Sequence, residues 1–208
     1  MTPNLFETIR RIVQDELGRT RTAELATVQE QHPHAAESDK DNYACTVQLR
    51  NSGIVLKHVP VATSRIGSVA IPAVGELVLV QFISGDINAP VIVGRLYNDE
   101  DRPPVSEDGK AVVHLPLAAS DDDAVHIELL SGDSRALTIR LGKGLLVSLQ
   151  DDDPVVQLDI DSGKAQVQID RDGAVTITSK GKIAMQGSEI AIEAQGALKL
   201  KGATVDIN

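Results

Sequence analysis

The chain has 208 residues and a formal charge of −10, with 20 Lys and Arg against 30 Asp and Glu. That balance argues against nucleic acid, because phosphate binding needs clustered basic side chains, and it is equally poor for attraction to an anionic membrane surface. The single cysteine, Cys45, excludes an intrachain disulfide, and no apolar run is long enough to cross a bilayer as a helix.

Aromatic residues make up only 2% of the chain, and after Phe6, Tyr43, Phe82 and Tyr97 no Phe, Tyr or Trp follows. A globular domain as long as the remaining sequence normally fills the middle of its core with a few aromatics. A narrow structure built from Val, Ile, Leu and Ala has no wide middle to fill. Cys45 itself reads as a small buried hydrophobe.

The first predicted element is a helix, because Leu5, Phe6, Ile9, Ile12, Val13 and Leu17 recur at helical spacing. Thr2 can cap it, Pro3 suits its first turn and Gly18 is a stop signal. The helix either docks on its own domain or anchors the chain to a partner ring; the residues leave both open. With Glu7, Arg10 and Arg11 in this run there is no signal-peptide pattern, so synthesis in the cytoplasm is expected, with any membrane role coming later.

Short strands are predicted next, over 21–29, 44–49, 56–61, 76–83 and 91–96. Between them lie turn-rich pieces such as His32-Pro33-His34 to Asn42, Asn51-Ser52-Gly53 and Ser84-Gly85-Asp86 to Pro90. Five strands over this length suit a small closed barrel of the OB type. A stretch rich in acid and proline follows, with Asp99-Glu100-Asp101, Pro103-Pro104 and Asp121-Asp122-Asp123, which reads as a linker. Within it Ala111 to Leu115 is a candidate short strand.

From Ala124 onward one alternating strand and one turn succeed another. Val125, Ile127 and Leu129 precede Ser131-Gly132-Asp133-Ser134, and Leu137, Ile139 and Leu141 precede Gly142-Lys143-Gly144. The pattern continues through Ile183 and Met185, Ile190 and Ile192, and Leu198 and Leu200 to Val205 and Ile207. Each strand shows one apolar and one polar face, and the unit shortens toward the end. Pro154, the only proline after Pro116, falls in a turn. Simple hairpins of this kind would leave raw sheet edges. Two closures remain: a single-chain β-solenoid, or three chains winding into a triangular prism. A turn after every strand, with no fixed corner residues or hexapeptide repeat, favours the trimer. The fold class expected is therefore all-β: a helix over 1–20, an OB-type barrel over 21–97, a linker over 98–123 and an intertwined trimeric β-helix over 124–208.

The segment Ile71-Pro72-Ala73-Val74-Gly75-Glu76-Leu77-Val78-Leu79-Val80-Gln81-Phe82, continued by Gly85-Asp86-Ile87-Asn88-Ala89-Pro90-Val91-Ile92-Val93-Gly94-Arg95-Leu96-Tyr97-Asn98, resembles one family signature. It is similar to the phage baseplate assembly protein V family and the related central spikes of contractile injection systems, including the VgrG proteins of type VI secretion. The resemblance implies a homotrimeric spike beneath the tube of a phage tail, tailocin or related apparatus. Its OB barrels would meet the tail hub, and its β-helix would pierce the target cell envelope mechanically.

Some relatives carry a His-x-His iron site near the C-terminal apex. Here the last histidine is His126, so no apical metal is expected, and a separate PAAR-type tip protein is expected to cap the end. The only His-x-His, His32-Pro33-His34, reads as a polar surface loop rather than a metal site. Others insert a lysozyme domain after the barrel, for which the linker is too short.

No catalytic, cofactor-binding or metal-ligating residue is assigned. Asp121-Asp122-Asp123 and Asp151-Asp152-Asp153 lack the spaced ligands of a calcium loop and read as solvated turns. Ser68, His58 and His114 form no nucleophile motif. The protein is therefore expected not to be an enzyme. The alternative is an OB-fold module binding an oligosaccharide or single-stranded nucleic acid on a solenoid stalk, but it would want aromatics and basic residues on the barrel. A polysaccharide lyase on a β-helix would need a longer chain and a basic groove.

Overall fold

The computed structural model describes residues 4–19 and 22–206. The predicted cap Thr2, Pro3, the strand start at Arg21 and the final Ile207 lie outside the described residues. The chain divides into two compact units, Met1–Pro104 and Val105–Asn208.

The first unit opens with α1 (Leu5–Arg19). Asn4 supplies its cap: the Asn4 carboxamide oxygen accepts from Phe6 N–H at 3.3 Å, and the Asn4 carbonyl accepts from Thr8 N–H at 3.1 Å. Five strands follow: β1 (Ala23–His32), β2 (Ala44–Leu49), β3 (Val55–Pro60), β4 (Leu77–Phe82) and β5 (Pro90–Leu96). Their order in the sheet is β3-β2-β1-β4-β5, every pair antiparallel. A parallel bridge between Val61 and Ile92, with Ala62 N–H donating to Ile92 O at 2.8 Å, joins the two ends of that order. The ring is thus 1-2-3-5-4, the OB barrel the strand count leads one to expect.

Ala26, Val28, Cys45, Val47, Leu49, Val59, Val78, Val80, Phe82 and Ile92 fill the barrel. Among the described residues, Phe82 is the one aromatic in that buried cluster. Cys45 is fully buried, and burial pushes its thiol up, which keeps it in the unreactive protonated form.

In the second unit, β6 (Lys110–Leu115), β7 (Val125–Ser131), β8 (Arg135–Leu141), β9 (Leu145–Gln150), β10 (Val156–Ile160), β11 (Ala165–Ile169) and β12 (Val175–Ser179) follow one another. They form a single seven-stranded antiparallel sheet in sequence order. β6 comes from the acid- and proline-rich stretch and serves as one edge, with Ala111 opposite Leu129 and Leu115 opposite Val125. Turn chemistry fits the sequence: Lys143 and Gly144 have φ of 65° and 81°, and Asp161, Ser162 and Gly163 are also left-handed.

The alternation continues past Ser179, yet among the described residues no strand pairing follows β12. The stretches around Ile183, Ile190, Leu198 and Val205 have the strand pattern without a ladder partner in their own chain. A hairpin meander can lengthen only while each new strand lies beside the last, and these strands do not.

Candidate functional site

Register builds one continuous apolar face across the second unit. Val113, Ile127, Ile139, Val147, Leu158, Val167 and Ile177 stand opposite one another on seven successive strands. Flanking rows repeat the pattern, with Leu129, Leu137, Leu149, Val156, Ile169 and Val175 in one and Val125, Leu141, Leu145 and Ile160 in the other. The other face is polar, with Glu128, Thr138, Ser148, Gln157, Gln168 and Thr176 in one row.

Among the described residues of the unit, none covers the apolar rows. Among the described residues, Ala124 is the only apolar side chain there that is buried, whereas the barrel buries a full cluster. Ile177 is 62% exposed, and Ile183, Met185, Ile190, Ile192, Leu198, Leu200 and Val205 are exposed as well. A sheet normally buries one face against another layer, and an apolar surface of this extent marks an interaction site. Leu5, Phe6, Ile9, Ile12 and Val13 of α1 are likewise exposed, so this stripe is not docked on its own domain.

The signature from Ile71 to Asn98 organises the barrel. Pro72 is fully buried and its carbonyl accepts from Gln31 Nε2 at 2.7 Å. Gly75, at φ 94°, turns the chain so that its N–H donates to Val28 O at 2.9 Å while Val28 N–H donates to Glu76 O at 3.1 Å. The Glu76 carboxylate reaches Arg95 at 3.5 Å, tying the start of β4 to β5. Asp86 closes its loop by accepting from Asn88 N–H at 2.8 Å.

The histidines are placed partly against expectation. His34 is in a loop, 2.7 Å from Asp39, whose carboxylate also accepts from Ala35 and Ala36 N–H. The Ala36 backbone bond first, and His34 next, hold the Asp39 carboxyl below its usual range. His32, read from sequence as loop, is the last residue of β1: it pairs with Ala44, and its Nε2 lies 2.8 Å from Thr46 Oγ1. The polar His-Pro-His composition masked a strand end that cross-strand pairing holds in place. His58 stacks on His32 with ring centroids 4.0 Å apart. Sequence distance gave no sign of that meeting.

The acidic run at 151–153 forms turn clasps. Asp151 accepts from Arg135 N–H at 3.0 Å and from the Arg135 guanidinium at 2.9 and 3.2 Å, while the Arg171 guanidinium donates to the Asp151 carbonyl. Asp153 accepts from Arg171 N–H at 2.6 Å. Both carboxylates therefore serve the backbone of neighbouring turns.

Residues 25–97 match the family described as the type VI secretion system/phage-baseplate injector OB domain. No curated protein matches the chain. The matched segment runs from Leu25, the third residue of β1, to Tyr97, the last aromatic, and takes in the rest of β1 and all of β2 to β5. A domain of this kind supports a structural role in a baseplate or injection apparatus. The barrel of this chain is a member of the type VI secretion and phage-baseplate injector OB family.

Proposed function

We propose that the protein is the central spike of a phage tail, tailocin or related contractile injection system, a homotrimer that pierces the target envelope mechanically and catalyses no reaction. The observation that carries this reading is the uncovered apolar face of the β6–β12 sheet, continued by apolar strands that find no ladder in their own chain. Two further copies offer both missing partners at once: their apolar faces cover the rows, and their strands complete the ladders beyond Ser179. Closure by three chains also removes the raw edges at β6 and β12, which would otherwise recruit other strands.

The injector OB domain supports docking of the barrel on tail-hub or tube-base proteins, and the exposed stripe of α1 suits a helix that anchors there. A PAAR-type tip protein on the C-terminal repeats belongs to the same proposal, supported by the lack of any histidine beyond His126 to build a metal apex. An interlocked trimer suits a mechanical task, since opening one strand is opposed by two other chains. Assembly is then obligate, and the stability of one chain alone has no separate meaning.

The test is native mass by light scattering. The full chain is expected near three times 22.2 kDa. A truncation ending near Asp123 is expected to fall to a monomer or a weaker assembly. A full-length monomer would overturn the reading and favour an OB binding module on a single-chain stalk.

A further inference from the structure

Two histidines meet on the polar face of the sheet, opposite the apolar rows. His114 on β6 and His126 on β7 are register partners, with their Nδ1 atoms 3.2 Å apart and ring centroids 5.4 Å apart at 72°. Both are largely withdrawn from solvent, with side chains 11% and 16% exposed.

A backbone neighbour fixes where the His114 ring carries its hydrogen. His114 Nε2 lies 2.9 Å from the Ala119 carbonyl oxygen, which can only accept, so the hydrogen is on Nε2 and Nδ1 presents a lone pair. His126 Nε2 faces Glu128 Oε2 at 3.6 Å, and that carboxylate is itself paired with Lys110 at 2.9 Å. At 3.6 Å that carboxylate attracts the His126 ring without a hydrogen bond, so His126 Nδ1 faces the His114 lone pair either as a donor or, in the other tautomer, as a second lone pair. In the tautomer with both hydrogens on Nε2, two lone pairs converge at a distance that a bound cation between them would satisfy.

The spacing matches a metal. A tetrahedral ion with Zn–N bonds of about 2.0–2.1 Å sets two nitrogens roughly 3.3 Å apart. Asp121 Oδ1 lies 3.9 Å from His114 Nδ1, and one donor atom from each of the three residues falls within 4.8 Å of the others. The loop that presents Asp121 is ordered by Ala119 N–H on Pro116 O and Asp123 N–H on Ser120 O, each at 3.0 Å. Each imidazole has its second nitrogen turned to a carbonyl or carboxylate, the arrangement that orients histidine ligands. Arg140, the register partner of His126, places a cation nearby, offset by Asp121 and Glu128.

We propose that His114 Nδ1, His126 Nδ1 and Asp121 Oδ1 bind one divalent transition-metal ion, zinc by ligand chemistry, with a fourth position open to water. The ion staples β6, the loop after it and β7 within one chain. The site needs no second copy, so it is independent of the spike reading. The other histidine group, His32, Asp41 and His58, is a poorer fit: its two rings stack nearly face to face at 27°, and His32 Nε2 is already engaged by Thr46.

The test is titration of the full-length, metal-stripped protein with zinc chloride by calorimetry, alongside visible absorption with cobalt(II) to read tetrahedral coordination. One ion per chain is expected. H114Q and H126Q are each expected to weaken zinc binding by about 100-fold, and E128Q by about tenfold through loss of orientation. Asp121 is 81% exposed, so D121A tests the site without threatening the fold, and it is expected to remove the tetrahedral cobalt spectrum. H32Q and H58Q are expected to bind as the parent does. Absence of zinc uptake means that only a proton fills the gap and overturns the proposal. So does uptake that H114Q and D121A leave unchanged, which is adventitious surface binding.

Discussion

Gly142 stands directly against the backbone of Asp122: a Cβ on it would lie 2.8 Å from the Asp122 carbonyl carbon and closer still to its oxygen. Backbone atoms cannot swing aside as a flexible side chain can. Gly142→Ala therefore has to push the 116–123 loop off the β8–β9 hairpin or distort the hairpin itself. The expected outcome is a loss of about 1–3 kcal/mol, the common range for an overpacked site, with faster amide exchange at Asp122 and Asp123. Gly132→Ala, which meets nothing within 4 Å, is the matched control and is expected to melt near the parent temperature. Equal melting of the two variants would contradict the close approach.

The apolar face predicts a sharp division between neighbouring positions on one strand. Ile139→Asp places a charge in the middle of the central row, where assembly would bury it without a partner. It is expected to bring the native mass from near three chains down to one. Arg140→Asp, one residue along and on the polar face, is expected to leave the mass unchanged. If both variants keep the parent mass, the apolar rows are not the contact surface.

Much of this is legible in the sequence, and the boundary has physical causes. Alternation reveals a strand wherever one face is apolar, so the barrel strands and β7 to β12 can be read directly. The predicted 44–49 coincides with β2, and the signature from Ile71 fixes β4 and β5. Alternation does not say which strand pairs with which. The strands past Ser179 are therefore readable while their partners are not, and His114 and His126 look unrelated until β6 and β7 are set in register. Composition also misleads at strand ends: His32 looks like loop beside Pro33, yet pairing with Ala44 holds it in β1.

The clasp between Arg135 and Asp151 predicts an acid limb. The guanidinium bonds first, then the Arg135 backbone N–H, hold the Asp151 carboxyl below its ordinary value of 3.8. A group whose folded pKa is depressed contributes stability above its unfolded pKa and loses that contribution as pH falls through the folded value. Asp151→Asn is expected to melt below the parent at about pH 7 and to converge with it as pH falls through the lowered folded value of Asp151. The gap is small because the pair is solvent-screened. A gap that stays constant down to the acid end would show that ionisation of Asp151 is not its source.

His58 has φ of 51°, a left-handed conformation that is costly for a side chain with a Cβ. It occupies a bulge, since Cys45 pairs with Val59 and Val47 with Leu56, leaving Thr46 opposite both Lys57 and His58. His58→Ala and His58→Gly lose the same stack on His32, so their difference isolates the backbone. Glycine is expected to be more stable than alanine by about 1–2 kcal/mol, read as denaturant midpoint in a protein whose slope is unchanged. Alanine matching glycine would mean that the bulge relaxes once the imidazole is gone.

Amide exchange beyond Ser179 separates the interlocked spike from any single-chain account. Within one chain the residues from Ile183 to Val205 form no ladder, so an isolated chain must exchange these amides at nearly the unprotected rate. In the proposed trimer their N–H groups donate to strands of two other chains. Protection should then approach that of β9 and β10, and it should vanish together with the trimeric mass in Ile139→Asp. Fast exchange across 183–205 in a full-length protein of three-chain mass would place the contacts between copies at β6 to β12 alone. The final strands would then be left to another partner, for which the proposed tip protein is the first to test by adding it and following the same amides.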